Sequence, residues 1–203
     1  LFKALTGEAN VEISDRLFMT LDPLMRGVRI GERENIVLVD TVGFIRGLPH
    51  GLVAAFRATL EEVSEADLVL HVVDGTDPEM AQKEKAVREA LEEIGAEDAP
   101  NRLTVINKID RADEAARLAL RSERPGAVLV SAQTREGLDA LKRRIAETLD
   151  MVPRPVTLRM DPLDERRIAS VYRRAKVLSQ TRDEFGQVVL EAEASPRALL
   201  AIA

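Results

Sequence analysis

Short apolar runs that alternate with amphipathic helical stretches constrain the fold of this chain more than any other feature. The runs are rich in β-branched residues and cover residues 35–39, 67–73, 103–106 and 127–130. Between and after these runs, apolar residues recur every three or four positions, most clearly over 78–94 and 138–149. Strands that alternate with helices of this length predict parallel βαβ units. We therefore expect an α/β fold with a doubly wound, mostly parallel sheet, in which these runs are buried strands.

Turn residues, a helix-ending glycine and a pair of prolines predict where the other elements and the two domains begin and end. A β-hairpin is expected over 25–39, with its turn at 31–34. Residues 1–7 resemble the end of an amphipathic helix closed by Gly7, and position 1 is not Met, so we expect the chain to begin inside an element. Two prolines, Pro153 and Pro155, predict a linker over 151–156. The predicted domains are 1–150 and a small α+β module over 157–203.

Composition excludes several classes of function. The 203 residues contain no cysteine, which excludes disulfides, Cys-ligated zinc and thiol catalysis and fits a cytoplasmic location. The formal net charge of −6 argues against a protein that coats nucleic acid without specificity. No apolar run approaches the roughly 20 residues of a membrane span. We expect a cytoplasmic monomer.

The stretch from Asp40 to Phe44 follows the first apolar run directly. Asp40 should therefore lie at the carboxyl end of a strand, where open α/β sheets bind their ligands. A carboxylate at that position can hold a water on Mg²⁺, and the amide of Gly43 can approach a terminal phosphate. Taken alone, the pattern is weak, and an ordinary strand-to-turn exit is the favoured explanation until other motifs agree with it.

A second motif, Asn107-Lys108-Ile109-Asp110, follows the run at 103–106 and predicts recognition of guanine. The Asp110 carboxylate can accept from both N1–H and the exocyclic amino group of guanine, a donor pair that adenine lacks. Asn107 can bridge the base and neighbouring loops, and the aliphatic stem of Lys108 can lie against the ring with its ammonium exposed. Ser131-Ala132 follows the next run, and the Ala132 amide would be directed at the guanine carbonyl. Three such motifs in this order, each at a strand end, are rarely met by chance.

With these motifs in place, the chain resembles the HflX family of ribosome-associated P-loop GTPases, which are translation-factor-like. The stretches that carry the resemblance are Leu17 to Pro23, Asp40 to Ile45, Leu48 to His50, Phe56 to Glu62 and His71 to Asp74. The resemblance covers about residues 1–150 and fades in the tail. It implies a P-loop GTPase sheet followed by a small α+β module.

The resemblance implies GTP or GDP and Mg²⁺ as cofactors and assigns roles to matching positions. Thr20 would bind Mg²⁺ directly, and Asp40 would bind it through a water. The residues implied to form the nucleotide site are Phe18, Met19, Thr20, Leu21, Asp22, Asp40, Thr41, Val42, Gly43, Asn107, Lys108, Ile109, Asp110, Ser131 and Ala132. Without the resemblance, the Thr20 hydroxyl would be explained as that of a solvated loop residue.

The chain departs from a generic GTPase at two points. Phe44 occupies the place where many GTPases carry a glutamine that orients the attacking water, so hydrolysis should be slow unless a partner supplies that group. We assign no catalytic residue, and we interpret His71 as structural. The phosphate loop Gly-x-x-x-x-Gly-Lys-Ser/Thr is absent from the sequence. We therefore expect the C-terminal part of a longer protein, cut just after that loop and its strand, which alone folds poorly and is inactive.

The resemblance also implies a partner, the large ribosomal subunit, and a function in splitting or rescuing ribosomes under stress. Two alternatives remain open: a non-catalytic, nucleotide-sensing interaction module, favoured by Phe44 and the missing phosphate loop, and a GTPase of ribosome assembly or RNA modification. Basic residues at 166–176 fit contact with RNA phosphates, but they fit a solvated helix face as well. The ribosome is implied by the family, not by these charges.

Overall fold

The computed structural model describes residues 1–7, 24–30, 34–41, 63, 65–93 and 101–202. Its contacts divide the chain into two compact units. The first unit comprises Leu1–Val28 and Ile36–Arg144, and the second comprises Arg29–Asn35 and Ile145–Ala203. In chain order, the described elements are α1 (Phe2–Thr6), β1 (Leu24–Arg29), β2 (Asn35–Asp40), β3 (Val69–Asp74), α2 (Met80–Glu93), β4 (Arg102–Asn107), a 3₁₀ turn (Ile109–Arg111), α3 (Glu114–Glu123), β5 (Val128–Leu129), α4 (Leu138–Thr148), β6 (Arg154–Met160), α5 (Glu165–Arg174), β7 (Lys176–Arg182), β8 (Val188–Ala194) and α6 (Pro196–Leu200).

The first unit contains a three-stranded parallel sheet in the order β3-β4-β5. Val105 and Ile106 of β4 are fully buried, since this central strand is paired on both sides. Helices α2 and α3 connect the strands, as βαβ crossovers require. The α/β prediction with a parallel sheet is confirmed, and so is the hairpin, in which β1 pairs with β2.

Two strands are less buried than the sequence analysis predicted. In β2 the side chain of Val37 is 68% exposed, and in β3 that of Val72 is 45% exposed. Among the described residues, β2 pairs with β1 alone and β3 lies at the edge of the three-stranded sheet. A strand with one paired neighbour is covered less than a central strand. Both runs form strands as predicted, but the prediction that they are buried is wrong, because most of their residues are half-buried.

Local chemistry explains where the helices begin and end. Gly7 closes α1 at φ 75°, and its N–H donates to the Lys3 carbonyl at 3.0 Å, which confirms the predicted glycine cap. Asp113 caps α3, because its carboxylate accepts from the Ala116 amide at 2.8 Å. No described helix has the length and apolar character needed to cross a membrane.

A partly buried ion pair joins α2 to Arg124, the residue that follows α3. Glu84 is buried, and one nitrogen of the Arg124 guanidinium lies 2.6 Å from its Oε1. Neutralising Glu84 alone would leave Arg124 without its partner, which is why such pairs are sensitive to single substitutions. Burial lowers the pKa of His71 in β3, against the opposing effect of the Glu84 carboxylate. The His71 imidazole is therefore neutral at pH 7.

The second unit contains an antiparallel sheet in the order β6-β8-β7. Alternate residues of β8 (Val188, Leu190, Ala192 and Ala194) are buried, and Val171 of α5 packs against them. This alternation is the pattern of a sheet with one covered face. The expected α+β arrangement of the tail is observed. The predicted boundaries at 150 and 157 stay a prediction; within the expected linker the backbone enters β6 at Arg154.

A short hairpin segment belongs to the second unit. Residues Arg29–Asn35 group with the tail, and the Glu34 carboxylate accepts a hydrogen bond from the Ser195 hydroxyl at 2.7 Å. Ser195 is buried and caps α6, because its Oγ accepts from the Ala198 amide at 3.1 Å. One hydroxyl therefore serves both a helix cap and a contact distant in sequence.

We expect Ser195→Ala to lower the free energy of unfolding of the second unit by about 1–2 kcal/mol, since it removes the cap and leaves the Glu34 carboxylate without this donor. Urea unfolding followed by circular dichroism measures the change. Ser170→Ala is the matched control, because Ser170 lies in α5 and its hydroxyl has no partner among the described residues. Equal stability of the two variants would show that the Ser195 hydroxyl contributes nothing.

Candidate functional site

Polar residues end the neighbouring strands β3 and β4 at the same edge of the parallel sheet. Asp74 is the last residue of β3, Asn107 is the last of β4, and the two are direct partners in the strand register. Ser131 follows β5 by two positions. The prediction that Asn107 and Ser131 lie at or just after strand ends is confirmed. This edge of an open α/β sheet is where ligands bind.

An ion pair links the two strand ends. The Lys108 ammonium lies 2.8 Å from Asp74 Oδ2, with side-chain exposures of 46% for Lys108 and 29% for Asp74. Lys108 has a left-handed backbone, with φ 66°. Partial burial would raise the pKa of Asp74, but hydrogen bonds from the Lys108 ammonium and from Thr76 outweigh it and lower that pKa. The Asp74 carboxylate is therefore ionised at neutral pH.

The segment Asp74–Thr76, which we call the β3 exit, packs closely against β4. The Gly75 N–H donates to the Asn107 carbonyl at 2.9 Å. A Cβ at Gly75 would lie 2.7 Å from Ile106 Cγ2 and 3.2 Å from the Asn107 carbonyl oxygen. The Thr76 amide and hydroxyl both donate to Asp74 Oδ1, at 2.9 and 2.8 Å. The absence of a side chain at Gly75 thus allows the two strand ends to touch.

Asn107 bridges two parts of the candidate site. Its side-chain carbonyl accepts from the Ala132 amide at 3.0 Å. Its Nδ2 amino group has no partner among the described residues and remains a donor. The interpretation of Asn107 as a bridge to a neighbouring loop fits this geometry. Because the Ala132 amide is directed at Asn107 here, its contact with a guanine carbonyl stays a prediction.

The segment 131–137, which we call the Ser131 loop, is held by its own hydrogen bonds. Ser131 is fully buried; its amide donates to the Glu136 carbonyl at 2.9 Å, and its Oγ accepts from the Thr134 amide at 3.0 Å. Arg117 of α3 pairs with the Glu136 carboxylate at 2.9 Å. Ser131 therefore shapes the loop that positions Ala132.

Ile109 and Asp110 have different surroundings. The Ile109 side chain is buried with Ile106 and Leu120, and its amide donates to the Val130 carbonyl at 3.3 Å. Asp110, in the 3₁₀ turn, is half-buried, and its carboxylate has no ion pair among the described residues. The core thus anchors the turn through Ile109, while the Asp110 carboxylate keeps its capacity to accept hydrogen bonds.

The predicted switch residues are described only in part. Asp40 ends β2 as expected, and burial raises the pKa of its carboxyl. Thr41 follows it and is half-buried. The other predicted contacts lie outside the described residues: Phe18, Met19, Thr20, Leu21, Asp22, Val42 and Gly43. Within the described ranges, no cluster of three His, Asp or Glu side chains could hold a metal ion.

Several residues that build this site, chiefly Asp74, Gly75 and Glu136, were given no role on sequence grounds. Asp74 was named there only as the end of a stretch that carries the family resemblance. An available signal was the Asp-x-Thr spacing at a strand end, which favours a local turn in which the carboxylate accepts from the threonine. No comparable signal pointed to Glu136, because its contact with Arg117 spans 19 positions.

Comparison with known proteins gives consistent matches. Residues 1–108 match the family model described as 50S ribosome-binding GTPase. The chain is 42% identical over 199 residues to GTPase HflX of Gluconacetobacter diazotrophicus, a match that covers 98% of this chain and 44% of that protein. It is 40% identical over 193 residues to GTPase HflX of Escherichia coli, covering 94% and 45%. The chain thus spans less than half the length of these relatives.

Solved structures share the fold. A crystal structure of an SsGBP mutation variant matches with a TM-score of 0.55 and 29% identity, over 73% of this chain and 50% of that one. The structure of Era in complex with MgGDPNP and a segment of 16S ribosomal RNA matches with a TM-score of 0.56 over 91% of this chain and 68% of that one. The identity to Era is 20%, so that likeness shows the fold alone.

Proposed function

This chain belongs to the 50S ribosome-binding GTPases, on their HflX branch, and from that premise we propose that the full-length protein binds and hydrolyses GTP with Mg²⁺ on the large ribosomal subunit. The observation that carries the proposal is the arrangement after β4: a half-buried Asp110 carboxylate without an ion pair among the described residues, beside an Asn107 side chain tied to Ala132. Both lie at the ligand-binding edge of a parallel sheet.

The chemistry of these groups fits guanine. Asp110 would accept from N1–H and the exocyclic amino group, while the Nδ2 of Asn107, which has no partner in the described part of the chain, would donate to the base. The aliphatic stem of Lys108 would cover one face of the ring. The Ala132 amide would meet the guanine carbonyl while it also contacts Asn107, which a bifurcated hydrogen bond allows.

Asp40 suits a role near Mg²⁺. It is a half-buried carboxylate at the carboxyl end of β2, and burial raises its pKa, so a nearby cation would favour its ionised form. We propose that Asp40 holds a Mg²⁺ water and that Thr20 binds the ion directly. When bound, the ion would neutralise charge on the phosphates during transfer. Val42 and Gly43 would then sense the terminal phosphate.

The proposal also specifies which ribosomal subunit the protein binds and what it does there. We propose that binding is to the large subunit and that the protein splits or rescues ribosomes under stress, in the cytoplasm. The family description and the names of the relatives support the ribosome as partner. A non-catalytic, nucleotide-sensing module is the second candidate, and it is favoured by Phe44 in the place of a water-orienting glutamine.

Co-sedimentation and hydrolysis assays test the proposal together. Full-length protein should sediment with isolated 50S subunits in the presence of a non-hydrolysable GTP analogue and much less with GDP. Addition of 50S subunits should raise the rate of GTP hydrolysis. Nucleotide-dependent sedimentation without hydrolysis would instead identify the non-catalytic module. Equal sedimentation with GDP and with the GTP analogue would contradict a nucleotide switch in both candidates.

A further inference from the structure

We propose that Asp74 is a positioning residue for guanine recognition, because its carboxylate holds the Lys108 ammonium and so fixes the Lys108 stem as one wall of the base site. The inference rests on the proposed function, since it needs the segment 107–110 to bind guanine. It adds a residue from a different strand, β3, to a site otherwise built from the segments after β4 and β5.

The backbone of Lys108 has an uncommon conformation, and its side chain has a partner in another strand. A left-handed conformation, φ 66° here, is uncommon for residues other than glycine, and lysine lacks the short polar side chain with which Asn or Asp compensates locally. The described partner of the Lys108 side chain is Asp74 Oδ2, at 2.8 Å. The ion pair therefore selects one direction for a side chain that would otherwise sample many rotamers.

Asp74 is itself held in place. The Thr76 amide and hydroxyl both donate to Oδ1, which leaves Oδ2 for the Lys108 ammonium. The Gly75 N–H donates to the Asn107 carbonyl, so a backbone hydrogen bond ties the β3 exit to the residue that precedes Lys108. Because Thr76 fixes Oδ1, the carboxylate has a defined orientation, and its Oδ2 can set the direction of the Lys108 ammonium rather than only neutralise its charge.

A plain surface ion pair is the competing explanation, and the two differ in what they predict. Both side chains are partly exposed, at 29% and 46%, and such pairs contribute little to stability. Loss of a plain surface pair would leave nucleotide release unchanged. Loss of a positioning pair would speed nucleotide release while thermal stability stays close to that of the wild type.

The experiment measures release of a fluorescent GDP analogue from the full-length protein and from Asp74→Asn, Lys108→Met and the double variant. Asp74→Asn should raise the dissociation rate about three- to tenfold, with an association rate within about twofold of the wild type. Lys108→Met keeps most of the aliphatic stem but removes the ammonium. In that background Asp74→Asn should add no further effect, since the two groups act as one unit.

Two further variants serve as controls. Asp77→Asn alters an acid in the next turn that pairs with Lys83, and it should release the nucleotide at the wild-type rate. Asp74→Glu keeps a carboxylate and should restore most of the slow release, even if Asp74→Asn folds poorly. Three outcomes would each overturn the proposal. The first is release from Asp74→Asn at the wild-type rate, and the second is fast release from Asp74→Glu. The third is an effect of Asp74→Asn that is equally large with and without the Lys108 ammonium.

Failure of this inference is distinguishable from failure of the proposed function. Asp110→Asn, measured alongside, reports on the base site itself. If Asp110→Asn changes base preference while Asp74→Asn leaves release unchanged, only the positioning role is lost. If Asp110→Asn leaves base preference unchanged, the assignment of the guanine site is wrong, and the inference falls with it.

Discussion

Asp110→Asn in the full-length protein is expected to weaken GTP binding about 100-fold or more and to create a preference for xanthosine triphosphate. The Asp110 carboxylate is half-buried and has no competing cation among the described residues, so it is available to accept two hydrogen bonds from guanine. An asparagine amide places a donor where the exocyclic amino group of guanine also donates. Two donors then face each other in a partly dehydrated site, which is costly.

Xanthine reverses this mismatch. It carries a carbonyl oxygen where guanine has the exocyclic amino group, so the asparagine NH₂ donates to that oxygen while the amide oxygen still accepts from N1–H. Competition of unlabelled GTP and xanthosine triphosphate against a fluorescent nucleotide measures the exchange of preference. The expected outcome is tight binding of a different base, which general damage to the protein would not produce.

Asp113→Asn is the matched control for this change. Asp113 is three positions away and caps α3 through the Ala116 amide, a role that asparagine fills equally well. This variant should therefore keep the wild-type preference for GTP and the wild-type thermal stability. An unchanged GTP affinity in Asp110→Asn would show that this carboxylate does not contact the base.

The ends of strands and helices were predictable from the sequence where a few neighbouring residues determine the local backbone conformation. Asn107 was expected at the end of a strand because the β-branched run before it stops there, and β4 does end at Asn107. Gly7 was expected to close a helix because glycine accepts positive φ at low cost, and its φ is 75°. In both cases the determining interactions are close in sequence, so a pattern of a few residues contains them.

The parts that were not predictable depend on contacts distant in sequence. The Asp74–Lys108 pair joins residues 34 positions apart, and only the register of β3 against β4 brings them together. The exposure of Val37 and Val72 depends on how many neighbours each strand has. An apolar run has the same composition at the edge and in the centre of a sheet, so its sequence does not reveal which place it takes.

Gly137→Ala is expected to destabilise the first unit by about 3 kcal/mol or more. Gly137 has φ 76°, a conformation that strains a side chain, and an added Cβ would lie 2.2 Å from the Leu129 carbonyl oxygen. That oxygen belongs to the backbone of β5, so no rotamer change relieves the overlap. Either the end of β5 or the start of α4 must shift.

The shift should reach the candidate site, because Gly137 ends the Ser131 loop, whose position sets the contact between Ala132 and Asn107. We therefore expect weaker GDP binding together with a lower urea midpoint followed by circular dichroism. Gly126→Ala is the matched control: it lies in the turn before β5, a Cβ there meets no atom within 4 Å, and its stability should equal or slightly exceed that of the wild type. If Gly137→Ala unfolds at the same urea concentration as Gly126→Ala, the close approach of residue 137 to β5 does not limit the fold.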